Sequence, residues 1–298
     1  MPRQPALLGH FLLAKKVEGR SPRTLQWYQE ALQTFERFCS RQDLNREPTT
    51  VTPLQIWMWL ADIQETGVSK NTINNRFRAL RAFFNWCVAE TVIDRSPMSN
   101  IHTPSVGSVI IRVFSPEHVR DLLYLCPPNT WWGARDRAII LALLHTGIRL
   151  SELTGLQLSD LNFVGDHIKV RGKGNKERRV YLAPEAQQAI LRYLRHRSDD
   201  ATHLWLSRQG TRLTSNAVQQ IIRDLGRKAR LDGVRCSAHT FRHTFAINFL
   251  KAGGSLRYLQ EIMGHTSMKS LETYLRAVSA DDAIQVHRQI KPFKGWQF

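Results

Sequence analysis

Before residue 100 the apolar positions recur at intervals of three and four. Leu25, Tyr28, Leu32, Phe35 and Phe38 share one face of a 3.6-residue helix, and Ser21-Pro22 ahead of them reads as an N-cap followed by proline at the first helical position. Ile56, Trp57, Leu60 and Ile63 form a second stripe opening after Thr52-Pro53, and Ile73, Phe77, Leu80 and Phe84 a third opening at Ser69. With a shorter helix around residues 6–16, these stripes predict a helical bundle around one small core. The polar face of the third helix carries Lys70, Asn74, Arg78 and Arg81 at spacings of four, four and three.

The period then lapses. Residues 96–113, SPMSNIHTPSVGSVIIRV, hold two prolines, a glycine and several serines, and read as a connection between two domains. We place the domains at 1–103 and 113–298, with the linker at 104–112. Ser115-Pro116-Glu117 opens the next helix, and the continuous run AIILALL within 131–145 predicts a helix buried on most sides. In DLNFVGDHIKVRGKGNKERRVYL, β-rich pieces flank Gly165-Asp166 and Gly172-Lys173-Gly174-Asn175, the pattern of a small antiparallel sheet. Helical periodicity returns at Pro184 and runs to about residue 289, interrupted by a possible strand at 203–206. The expected fold is mainly α with a small antiparallel β-sheet, in two domains.

Charge narrows the function. The 298 residues carry 42 Lys and Arg against 25 Asp and Glu, net +17, of which +4 lies before residue 105 and +13 after it. Such self-repulsion adds nothing to folding and points to a polyanion, so nucleic acid is the expected partner and the basic face of the third helix an expected phosphate and groove contact. Cys39, Cys87, Cys126 and Cys236 are far apart and form no CxxC, which argues against a zinc site or a disulfide framework and for a reducing cytosol. No apolar run reaches the ~18 residues of a membrane span, so a soluble, unprocessed, cytoplasmic protein is expected.

Four segments carry candidate chemistry. SAHTFRHTF (237–245) sets His239 and Arg242 three apart on one helical surface while Phe241, Phe245 and Phe249 turn to the core. HTGIRLSEL (145–153) puts Arg149 just beyond Gly147, with Glu152 three residues on as an orienting carboxylate. KVRGKGNKERR (169–179) holds six basic residues around a glycine-bounded Lys173, and MGHTSMKSLETYL (263–275) sets His265 beside a glycine and Tyr274 nine residues later. His243, adjacent to the HxxR pair, reads as structural.

Taken in order, Arg149, Lys173, His239, Arg242, His265 and Tyr274 resemble the active-site set of the tyrosine recombinases, the phage integrase family, and GKGNKERRV and MGHTSMKSLETY are close to that family's wording. The resemblance implies a C-shaped DNA clamp whose N-terminal helical domain binds the core site and whose C-terminal domain cuts and rejoins DNA. Tyr274 would then be the nucleophile, its pKa lowered by neighbouring cations, forming a 3′-phosphotyrosine bond. Arg149 and Arg242 would hold the nonbridging phosphate oxygens with planar donor forks. Lys173 would protonate the departing 5′ oxygen, His239 assist proton transfer, His265 hold a phosphate oxygen, and Glu152 support Arg149. Arg171, Lys176, Arg178, Arg179, Arg208, Arg212 and Arg223 would line the duplex, with Ser215 at a helix start beside it.

Because the protein–DNA link conserves the bond energy, neither ATP nor metal is expected, and the chain has no GxxxxGK[ST] loop or carboxylate cluster. The resemblance further implies inverted core half-sites and a homo-oligomer, a dimer on each site and a tetramer in the synapse, or a pairing with a paralogous recombinase. It places the protein in a bacterial or archaeal cytoplasm, on the nucleoid. In this family the tail after the nucleophile often packs on a neighbouring subunit, which makes Ala283, Ile284 and Val286 candidates for a contact in trans, with docking on the tail's own domain the equal alternative. Two other functions stand beside it: a catalytically silent DNA-binding regulator on the same fold, which fits the charge, and a type IB topoisomerase that relaxes DNA, which shares much of the catalytic set.

Overall fold

A computed structural model describes residues 4–102, 111–172, 176–264 and 271–289. The chain divides into two compact units, Met1–Val109 and Ile110–Phe298.

Among the described residues the first unit holds four helices, α1 (Gln4–Val17), α2 (Pro22–Arg41), α3 (Pro53–Glu65) and α4 (Lys70–Ala89). Ser21, Thr52 and Ser69 cap the last three by accepting the N–H of the residue three further on, which satisfies one otherwise orphaned donor each. Phe11, Phe35, Ile56, Phe77 and Phe84 meet in one core. Burying each such side chain stabilises the bundle by about 2 kcal/mol. In α3 the buried indole is Trp59, fully enclosed, whereas Trp57, expected in the core, is 47% exposed. The helical period explains the correction: Ile56, Trp59, Leu60 and Ile63 share a face, and Trp57 stands about 100° round from Ile56.

Residues 96–101, where the helical period has lapsed but which fall within the first domain as placed, belong to this core, since Met98 and Ile101 are both buried. Arg81 explains how they are held. Its guanidinium lies 4.4 Å from the Phe77 ring centre and donates to the Ile101 carbonyl, so it clasps the chain end instead of joining Lys70 and Arg78 on the open face. The expectation that Arg81 faces DNA is corrected on that ground. Lys70 and Arg78 are exposed and Asn74 is half-buried.

The second unit begins with α5 (Pro116–Tyr124), α6 (Trp131–Thr146) and α7 (Leu150–Gly155). A three-stranded antiparallel sheet follows in the order β1 (Leu161–Asn162), β2 (His167–Arg171), β3 (Glu177–Tyr181), with Arg171 opposite Glu177 at the hairpin end. Then come α8 (Pro184–Arg195), α9 (Ser215–Lys228), α10 (Ala238–Lys251), α11 (Leu256–Met263), α12 (Glu272–Leu275) and α13 (Ala280–Gln289). The AIILALL run does sit in a buried helix: α6 packs against α8 on one side and α10 on another. The possible strand at 203–206 forms only isolated bridges, Gln157 with His203 and Leu206 with Arg212, because the chain turns at Ser207. No described helix is long and apolar enough to cross a membrane.

Candidate active site

The site begins with a forced turn. Gly147 ends α6 in the left-handed region, at φ 59°, and a Cβ there would lie 2.3 Å from the Phe245 ring, so only glycine fits. Ile148 is buried directly after it, and Arg149 follows as the N-cap of α7. Glu152, in the first turn of α7, accepts from the Arg149 backbone N–H at 2.8 Å and from its Nη1 at 3.0 Å. One carboxylate thus fixes both the backbone and the side chain of this arginine.

Three arginines then meet the end of one helix. Arg178 Nε donates to the Ile262 carbonyl at 2.8 Å, Arg242 Nη2 to Met263 at 2.8 Å, and Arg149 Nη2 to Gly264 at 2.9 Å. These are consecutive carbonyls where α11 closes on Gly264, itself left-handed at φ 62°. The final carbonyls of a helix lack intrahelical donors and carry the negative end of its dipole. They therefore hold like charges together that would otherwise repel. Arg242 also donates from Nη1 to the Gly147 carbonyl at 2.5 Å, joining the end of α6 to the end of α11.

Burial and charge set the protonation states. Arg242 is only 5% exposed, and burial, then the charge of Arg149, pushes it down to about 10, which leaves it a cation at neutral pH. For Glu152, burial works to raise the pKa, but hydrogen bonds from Arg178 and the Arg149 amide outweigh it and hold the carboxyl below its ordinary range. Of the five N–H groups on each guanidinium, Arg149 and Arg242 each use two on partners among the described residues.

Tyr274, on α12, packs in a separate apolar cluster with Ile247, Leu259, Met263 and Leu271, and is 4% exposed. Its hydroxyl lies 3.0 Å from Nδ1 of His243. The expectation of a lowered tyrosine pKa is reversed: burial raises it by more than Arg242 and Arg149 lower it. His239 is exposed on the same face of α10, its ring 6.4 Å from that of His243, and forms no hydrogen bond among the described residues. Arg242 is sunk between helices instead of standing beside His239 on an open surface. Lys173 and His265 lie outside the described residues.

The duplex-facing set divides. Lys176, Arg179, Arg208 and Arg223 are exposed, while Arg171 is held between Asp160 and Glu177, each at 3.2 Å. Arg212 Nε donates to the Thr154 carbonyl at 2.9 Å, and Ser215 Oγ lies 3.0 Å from Thr154 Oγ1, which ties the start of α9 to α7. Arg178 is a correction. It makes a two-pronged pair with Glu152 at 3.0 and 2.8 Å and is consumed inside the protein. The alternation of β3 carries the signal: Arg178 shares the inner face with Val180, while Glu177, Arg179 and Tyr181 face out. The His243 contact had a fainter one, since His239 and His243 are four apart on a helix and share a face.

Residues 112–280 match the model of the phage integrase family, and residues 7–94 match that of the phage integrase N-terminal SAM-like domain. The tyrosine recombinase XerC of Pelotomaculum thermopropionicum is 31% identical over 96% of this chain and 97% of its own length. XerA of Pyrococcus furiosus is 30% identical over 92% of this chain and 90% of its own. Among solved structures, the Tn1549 transposon integrase bound to circular intermediate DNA superposes with a TM-score of 0.74 at 22% identity, over 95% of this chain and 99% of that one. The chain belongs to the phage integrase family, the tyrosine recombinases.

Proposed function

We propose that this protein cuts and rejoins double-stranded DNA at a defined site, through a covalent 3′-phosphotyrosine on Tyr274 and a Holliday junction, without metal or ATP. The observation that carries the reading is the pair Arg149 and Arg242, fixed at one helix end beside the buried Tyr274. A phosphodiester under attack gathers negative charge on its nonbridging oxygens, and donors already in place stabilise that charge without reorganising. Tyr274 attacks phosphorus in line, Lys173 protonates the leaving 5′ oxygen, and His265 holds a phosphate oxygen. Glu152 and Arg178 keep Arg149 in its rotamer.

Residues 1–103 bind the core site through the open face of α4, at Lys70, Asn74 and Arg78, and residues 113–298 carry the chemistry. Lys176, Arg179 and Arg208 follow the duplex backbone, with Arg171, Arg212 and Ser215 adding contacts from partly engaged side chains. The net charge of +17 supports this reading of the surface. The target is a pair of inverted half-sites, bound by a dimer and brought together in a tetramer in a bacterial or archaeal cytoplasm, as for a mobile element or a chromosome-resolution system. Here α13 rests on α10 of its own chain, through the Lys251–Asp282 ion pair at 3.1 Å. Ile284 stays 51% exposed and is the proposed contact to a neighbouring subunit.

The test is a supercoiled plasmid carrying two copies of a site selected from a random duplex pool. Recombinant circles of the length set by the two sites are expected, in the presence of EDTA. Relaxation without exchange would make the protein a topoisomerase, and binding without cleavage a silent regulator.

A further inference from the structure

The reaction needs the Tyr274 proton to leave as the phenolic oxygen bonds to phosphorus. In the structure that oxygen is buried, and its partner is Nδ1 of His243 at 3.0 Å, with the two rings 5.5 Å apart. Arg242, the preceding residue, cannot take a proton, because it is already a cation tied to two carbonyls. His239 stands one turn away and is exposed.

We infer that His243 is a further catalytic residue of this site, the base that receives the Tyr274 proton. The inference rests on the reading of Tyr274 as nucleophile. With hydrogen on Nε2, the Nδ1 lone pair accepts from the phenol. Burial, then the charges of His239 and Arg242, holds His243 below its ordinary pKa, so the lone pair is free at neutral pH. In the step, the Tyr274 O–H bond breaks and its proton passes to Nδ1. The phenolic electron pair forms the bond to phosphorus, the bond from phosphorus to the 5′ oxygen breaks, and that oxygen takes its proton from the general acid assigned to Lys173. The imidazolium so formed faces the negative charge of the five-coordinate phosphate, which offsets its burial. In the reverse step His243 returns the proton to the phenol. His239 is left free to act at the phosphate.

The test follows cleavage in single turnover on nicked duplex of the selected site, with either oxygen or sulfur bridging phosphorus to the 5′ carbon. A thiolate leaves without being protonated, so sulfur rescues the loss of a general acid and not the loss of the base. His243→Ala is expected to slow cleavage about 10²-fold or more on both duplexes. Lys173→Ala should regain its rate on the sulfur duplex only, and added imidazole should raise His243→Ala with the adduct still on Tyr274. His243→Asn can hold the phenol but take no proton; it should fold and bind duplex as wild type does and remain slow. Wild-type rates in His243→Asn, or rescue of His243→Ala by sulfur, would overturn the inference. A wild-type adduct on any residue other than Tyr274 would instead overturn the recombinase reading on which it stands.

Discussion

Replacing Arg242 by Ala is expected to reduce single-turnover cleavage by about 10³-fold or more while leaving most of the affinity for duplex. The guanidinium does two things in this fold. In the proposed reaction its remaining N–H groups meet charge that builds on the phosphate, so their loss falls on the rate of cleavage. Its inward ones satisfy Gly147 and Met263, and leaving these buried carbonyls without a donor costs about 1–3 kcal/mol each. A lowered melting temperature should therefore accompany the lost rate. Arg242→Lys separates the two: the ammonium keeps the charge and one inward bond but not the planar fork, so stability should return further than rate. Equal recovery of both would mean that charge alone matters at this position.

Glu152→Gln should be the most destabilising single-atom change in the second unit. Its carboxylate takes four hydrogen bonds from two arginines, two from Arg149 and two from Arg178, and is 6% exposed. Removing the charge leaves Arg149 and Arg178, two of the three arginines at the end of α11, without their counterion, at a cost on the order of 3 kcal/mol. Cleavage should also fall, by about 10²-fold, as Arg149 loses the rotamer that aims it. The pH dependence has a definite sign. The folded protein holds Glu152 below the ordinary glutamate range, so its contribution is complete above that range and fades as pH falls through the lowered value. Melting curves of wild type and variant should converge on acidification, and a gap unchanged from neutral pH to below the glutamate range would contradict the assignment.

What could be read along the chain was what local rules decide. Ser21, Thr52 and Ser69 start their helices because cap chemistry involves neighbours three residues apart, and the stripes of α2 and α4 follow the helical period. Where a stripe offered two aromatic residues, as Trp57 and Trp59 do, the period chose the other one. The order of Arg149, Arg242 and Tyr274 was legible through wording that the family shares. Their surroundings were not, because these depend on contacts distant in sequence. Arg178 meets Ile262 across 84 residues, and His243 meets Tyr274 across 31. Neighbouring cations do lower the pKa of Tyr274, as their charge requires, but the depth of the pocket that outweighs them is set by the packing of Leu271 and Ile247 around it. The basic residues of the hairpin looked alike in sequence; strand alternation sends Arg178 inward to Glu152 and Arg179 out.

In the proposed reaction Tyr274 becomes bonded to DNA. The most direct measurement traps the protein on a nicked duplex of its selected site in EDTA, digests the adduct with protease, and identifies the peptide that carries the nucleotide. One modified peptide is expected, with the 3′ phosphate on Tyr274, and none from Tyr274→Phe. A nucleotide on another residue, or no adduct from protein bound tightly to the same duplex, would contradict it.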